Sequence, residues 1–145
     1  MIGITKTYTD FNGVEKTETF YFNLTKTELA KLALGPAGGL DNMLQEIINA
    51  NDMARIIDLV ESIVFMAYGK KTPDGRFVKV DDDGHKLSVK FSQSAAYDDF
   101  FMDLMFNPDK LVDFINGCVP AELSAETGMR EASEQAKAKI ASLNM

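Results

Sequence analysis

A chain of 145 residues, 46% of them hydrophobic, is long enough for one domain with its own core and needs no covalent staples. Its single cysteine, Cys118, excludes an internal disulfide, and no apolar run reaches the about 18 residues of a membrane helix. The formal charge of −7 is uneven: residues 1–80 carry 9 Lys/Arg against 10 Asp/Glu, residues 81–145 carry 6 against 12, and so acidic a half repels phosphate backbones and disfavours nucleic acid.

Met1 to Lys6 lack the charged-then-apolar pattern of a signal peptide, which with the lone thiol predicts a cytoplasmic protein. Residues 4–11 and 14–22 are rich in threonine and aromatics, and Asn12-Gly13 lies between them. That pair predicts a hairpin closed by a two-residue type I′ turn, with Phe11 facing Val14, Tyr8 facing Thr17 and Ile4 facing Tyr21. A helix start follows. Thr25 is placed as N-cap, Glu28 completes a capping box, and Leu24 and Leu29 form a hydrophobic staple. Gly35-Pro36 ends this helix near Leu34.

Leu40, Met43, Leu44, Ile47 and Ile48 recur at helical spacing, and Asn51-Asp52 breaks the chain before a longer helix over 53–68. Met53, Ile56, Ile57, Val60, Ile63, Val64 and Ala67 line its apolar face. Phe65 falls in its polar strip, so it is either covered by another element or offered to a partner. Gly69 is read as the helix stop and Thr72-Pro73-Asp74-Gly75 as a turn. Residues 77–80 suit a short strand added to the hairpin, and a short helix is expected over 86–91.

Ser94 is placed as the cap of a helix over 95–106, with Tyr97, Phe100, Phe101, Leu104 and Met105 inward. Asp98, Asp99 and Asp103 lie opposite on a solvated face that also holds Met102 and Phe106. Asn107 is expected to cap, and Pro108 to open, a further helix stopped by Gly117. Residues 121–145 lack aromatics, and Met129, Ala132, Ala136, Ile140 and Leu143 keep only weak helical spacing. This segment is read as a flexible or weakly helical tail, ordered only against a partner, beside a domain of residues 1–120.

The residues offer little chemistry. His85 is the only histidine, so no two-histidine metal site exists within one chain. Asp81-Asp82-Asp83-Gly84 fails the calcium-loop template, which asks for glutamate where Lys90 stands and for a first ligand where Lys79 stands. Cys118 sits among apolar neighbours and suits a small buried thiol better than a nucleophile. No phosphate-binding glycine motif is present, so no catalytic residue, metal or cofactor is assigned. What remains is surface: Phe65, Met102 and Phe106 on otherwise polar faces, with the acids Asp98, Asp99 and Asp103, form a candidate partner-binding set. Eight methionines suit adaptable contacts.

Four stretches together resemble the tail assembly chaperones of long-tailed (siphovirus-type) bacteriophages and prophages of Gram-positive bacteria. They are Tyr8-Thr9-Asp10-Phe11-Asn12-Gly13 running into Thr17-Glu18-Thr19-Phe20-Tyr21-Phe22-Asn23-Leu24-Thr25-Lys26; Tyr68-Gly69-Lys70-Lys71 with Asp74-Gly75-Arg76-Phe77; Phe91-Ser92-Gln93-Ser94-Ala95-Ala96-Tyr97 with Phe100; and Phe114-Ile115-Asn116-Gly117 with Val119-Pro120. The resemblance spans about residues 4–123. It implies a non-enzymatic protein of the host cytoplasm that coats the phage tape measure protein, keeps it soluble and helps recruit tail tube subunits. A longer frameshifted form accompanies many such proteins. It also implies self-association along one long partner, on a concave or stripe-like surface. A structural tail or virion component, a small host-directed interaction protein and a small enzyme or metal-dependent regulator stand as alternatives. The fold expected is α+β and mostly helical: an N-terminal β-hairpin packed on five or six helices, with a loose C-terminal tail.

Overall fold

The computed structural model describes residues 1–121 and 127–143, and the side chains of 127–133, Met129 and Ala132 among them, lie outside the description. Strands β1 (Ile2–Thr9) and β2 (Glu15–Phe22) form the hairpin. Helices α1 (Lys26–Leu34), α2 (Leu40–Asn49) and α3 (Met53–Ala67) follow, then β3 (Tyr68–Lys71) and β4 (Phe77–Val78). The chain continues through α4 (Leu87–Ser92), α5 (Ala95–Phe106), α6 (Pro108–Cys118) and α7 (Thr127–Leu143). The fold is thus α+β, an antiparallel sheet backed by helices. No helix among the described residues is long and apolar enough to cross a membrane.

The hairpin forms, but one step off the expected register. Ile4 pairs with Phe20, Tyr8 with Lys16 and Thr9 with Glu15. A type I′ turn needs positive φ at both central residues, and here Gly13 has φ +81° while Asn12, like every other non-glycine residue among the described ones, does not have positive φ. Asp10 decides the matter. Its carboxylate accepts the backbone N–H groups of Asn12 and Val14, both at 2.9 Å, and its own N–H reaches the Val14 carbonyl at 2.8 Å. The loop is therefore Phe11–Gly13, three residues long. This register lets Ile2, Ile4 and Tyr8 share a face with Phe20 and Phe22, whereas a slip of one would set Ile4 against outward-facing residues. The other face is a threonine ladder, Thr5 to Thr19 at 2.8 Å and Thr7 to Thr17 at 2.9 Å.

The third strand is not the one expected. The chain leaves α3 directly into β3, which pairs with β2 through Tyr21–Gly69 and Phe22–Tyr68. Residues 77–78 pair with β3, giving the order β1-β2-β3-β4. Gly69 is thus a strand residue at a close crossing. A Cβ there would lie 2.6 Å from the Phe77 ring and 2.7 Å from the Val78 carbonyl oxygen.

Phe22 is the centre of the core. It stacks on Phe100 at 5.0 Å and meets Phe114 edge-on at 5.0 Å, while Tyr68 stacks on Phe91 at 4.3 Å. Such contacts add about 0.5–1.5 kcal/mol each beyond area burial. Helix α3 buries Ile56, Leu59, Val60, Ile63, Val64 and Ala67, and α2 buries Leu40, Met43, Leu44 and Ile47. Met43 and Met105 lie in the core as well, so part of the methionine surplus is packing.

Two details at α6 depart from the sequence reading. Asn107 stands at the N-cap position, where its carbonyl accepts the Lys110 N–H at 2.8 Å, but its side chain makes no cap bond; its amide turns back to the Asp103 carboxylate at 2.7 Å. Gly117 does not stop the helix, which runs one residue further, but admits β1: a Cβ there would meet Ile2 at 2.8 Å. Helix α7 packs against α2 and α6, with Ala136 and Ile140 fully buried and Lys137 paired with Asp109. Of the segment read as a tail, residues 122–126, 144 and 145 lie outside the described residues, and residues 127–143 form this helix.

Candidate functional site

The start of α1 is fixed by its capping box. The Glu28 N–H donates to Thr25 Oγ1 at 3.1 Å, and the Thr25 N–H donates to Glu28 Oε1 at 2.9 Å. The helix that follows buries none of its residues. Leu29 and Leu32 are half-buried against the core, and Leu34 stands 90% exposed. A helix so lightly packed leaves a space beside it. The space is an open groove of about 780 Å³ between α1, the second half of α3, the segment after β4 and the start of α4. Leu29, Leu32, Phe65, Met66, Val80 and Val89 form its apolar walls.

Lys79 closes the groove at its floor. Its Nζ donates to Glu28 Oε2 at 2.7 Å, to the Asn23 carbonyl at 2.6 Å and to the Met66 carbonyl at 2.7 Å. All three ammonium protons are therefore used. Burial would push the Glu28 carboxyl up, but the hydrogen bond from Lys79 and those from Thr25 outweigh it and hold the group below its ordinary value. The groove offers hydrophobic wall rather than a free acid, base or nucleophile on its floor.

The six residues singled out in the sequence fall in three places. Phe65 is half-buried in the groove wall, covered on one side by Tyr97, whose ring centre is 5.5 Å away. Tyr97 in turn donates its hydroxyl to Glu61, and burial followed by that carboxylate raises its pKa. Met102 and Phe106 are 42% and 66% exposed, and with exposed Asp98 and Asp99 they occupy the outer face of α5.

Asp103 does not belong to a solvated face. Its carboxylate bonds Lys6 of β1 and Lys110 of α6, each at 2.7 Å, beside a second, smaller hollow of about 250 Å³. Lys110 first and Lys6 second hold its carboxyl below the ordinary range. Asp103 ties three elements together. A helical wheel does not reveal this, because both lysines lie on other elements.

The remaining chemical candidates resolve into local structure. Cys118 is buried at the end of α6, and burial pushes its thiol up to about 12, far from a thiolate at neutral pH. Asp81, Asp83 and His85 bring potential metal-ligand atoms within 4.8 Å of one another on an exposed turn. There the Asp81 carboxylate accepts the N–H groups of Asp83 and His85, both at 2.9 Å, as a turn of this kind requires. The sequence carried no signal for the groove itself, since its walls come from four separated segments.

No curated protein and no solved structure matches the chain. A family model described as phage tail assembly chaperone matches it over residues 1–144, nearly its whole length. The chain belongs to the phage tail assembly chaperone family.

Proposed function

We propose that this tail assembly chaperone acts by binding alone, holding apolar stripes of the helical tape measure protein in the groove beside α1. The observation that carries the reading is a groove with free hydrophobic walls and a floor whose polar groups already satisfy one another. Such a site suits an amphipathic helix, whose apolar residues at i, i+3 and i+4 enter the groove while its polar side stays in water. Several copies bound along one tape measure would shield its apolar stripes in the host cytoplasm. The outer face of α5, with Met102, Phe106, Asp98 and Asp99, remains available for self-association or for tail tube subunits.

Co-expression with the tape measure protein of the same phage tests the reading. The tape measure is expected to be insoluble alone and to be recovered as a soluble complex carrying several copies of this chain. Absence of a complex, with this chain found in finished particles instead, would replace the reading with that of a structural tail component.

A further inference from the structure

Strand β1 is an edge of the sheet, since the strand order is β1-β2-β3-β4. The Asp10 N–H donates to the Val14 carbonyl, and hydrogen-bonded and non-bonded pairs alternate from there along the register to Ile2–Phe22. The even-numbered residues of β1 therefore direct their backbone groups at β2. Gly3, Thr5, Thr7 and Thr9 turn theirs outward, and no other described residue bonds them. Edge strands are commonly blunted by proline, a bulge or a free inward-facing charge. Strand β1 runs eight residues in unbroken register without proline. Its one charged side chain, Lys6, is turned toward α5 but is already bound to Asp103 at 2.7 Å.

The smaller hollow of about 250 Å³ lies along this edge. Ile2, Ile4 and Lys6 of β1 line it with Phe100 and Leu104 of α5 and Phe114 of α6. No residue of β2 takes part, so the hollow opens on the free side of β1. Thr5 lines it too, although its side chain lies on the opposite face, bonded to Thr19. The hollow thus reaches the strand's backbone. Helices α5 and α6 extend past β1 as a floor on which a further strand can lie.

We infer that β1 takes up an extended segment of another protein as a fifth strand, with an aliphatic side chain of that segment in the hollow. A row of outward N–H and C=O groups is matched by another extended backbone, and such main-chain bonds supply affinity while a pocket supplies choice. The hollow favours an aliphatic residue because its walls are apolar and its Lys6 and Asp103 satisfy each other. The residues on either side of that anchor fall beside Thr5 and Thr7 on the threonine face, which suits threonine or serine there. The site shares no lining residue with the groove beside α1, so the inference stands or falls apart from the reading above.

The probe is a capped seven-residue peptide, leucine at its centre and threonine elsewhere, added at millimolar concentration to the full chain and followed by amide NMR. Hydrogen exchange is expected to slow at Gly3, Thr5, Thr7 and Thr9 and to stay unchanged at Ile4 and Tyr8, whose N–H groups face β2. Aspartate in place of the central leucine should weaken binding about tenfold or more. Successive N–H groups of a strand point to opposite edges, so N-methylation at the leucine or at the threonine before it should abolish binding in one case only. Thr7→Pro removes an outward donor but no bond to β2, and should weaken binding with the melting curve little changed. Absence of binding by the leucine peptide, equal effects of the two methylations, or shifts confined to the groove beside α1 would each overturn the inference. So would protection of the same four amides that rises with the chain's own concentration without peptide, which would give the edge to a second copy.

Discussion

Lys79 and Glu28, 51 residues apart in sequence, meet at 2.7 Å, and through that contact the start of α1 is joined to the segment after β4. The same ammonium takes the carbonyls of Asn23 and Met66, so four chain segments converge on one charge at the floor of the groove. Replacing Lys79 with Met keeps much of the stem but leaves both carbonyls without their donor. We expect a loss of about 1–3 kcal/mol in urea unfolding, most of it from the carbonyls, since Glu28 is partly exposed and screened by water. A variant as stable as the unmodified chain would show that water replaces the ammonium without cost.

The Asp103 cluster makes stability depend on pH in a definite direction. Its carboxyl pKa is lowered in the folded chain from the ordinary value of 3.8. Its contribution is therefore fully present above that value and is lost as pH falls through the lower folded value. Glu28 acts in the same sense, from an ordinary value of 4.5. Unfolding free energy should stay level from about pH 8 to 5 as far as these two groups decide it, and fall below about pH 4. In Asp103→Asn the acid-side slope should be shallower, which a series of urea melts at fixed pH would read.

Gly69→Ala tests the close crossing of β3 and β4. The added methyl would lie 2.7 Å from a backbone carbonyl, which cannot rotate away as a side chain does. We expect a loss of about 1–3 kcal/mol, of the size seen on overpacking a well-packed region. Hydrogen exchange should speed up first at Lys70 and Lys71. Unchanged exchange there would contradict the tight crossing.

Helix α7 bears on stability through Ile140, which is fully buried against the rest of the chain. Ile140→Ala should lower stability by about 2–5 kcal/mol, the range for truncating a buried isoleucine. The exposed Leu143→Ala should change it by less than about 0.5 kcal/mol. Equal, small effects at both positions would mean that the helix does not dock in solution.

How far the sequence reveals this architecture varies with how local each feature is. The capping box of Thr25 and Glu28 and the bounds of α5 are written in neighbouring residues, and both stand as expected. The hairpin was visible but its register was not, because a carboxylate three residues before Gly13 outbid the Asn-Gly signal. Strand β3 was hidden since Tyr68 and Gly69 extend only by pairing with residues 21 and 22, far away in sequence. The groove follows from how lightly α1 is packed, which no periodicity records. Phe65, in the polar strip of its helix, meets Tyr97 on one side and lines the groove with the other, a pairing of distant segments that no local pattern records.

The groove's role is tested most directly by co-expressing the tape measure protein with Leu32→Glu/Val89→Glu. Val89 is 51% exposed and Leu32 half-buried, so the variant can first be checked for folding by its melting curve. With the groove walls charged and the fold intact, the tape measure should be found in the insoluble fraction, whereas the unmodified chain should keep it in solution. A folded variant that still holds the tape measure in a soluble complex would contradict binding in this groove.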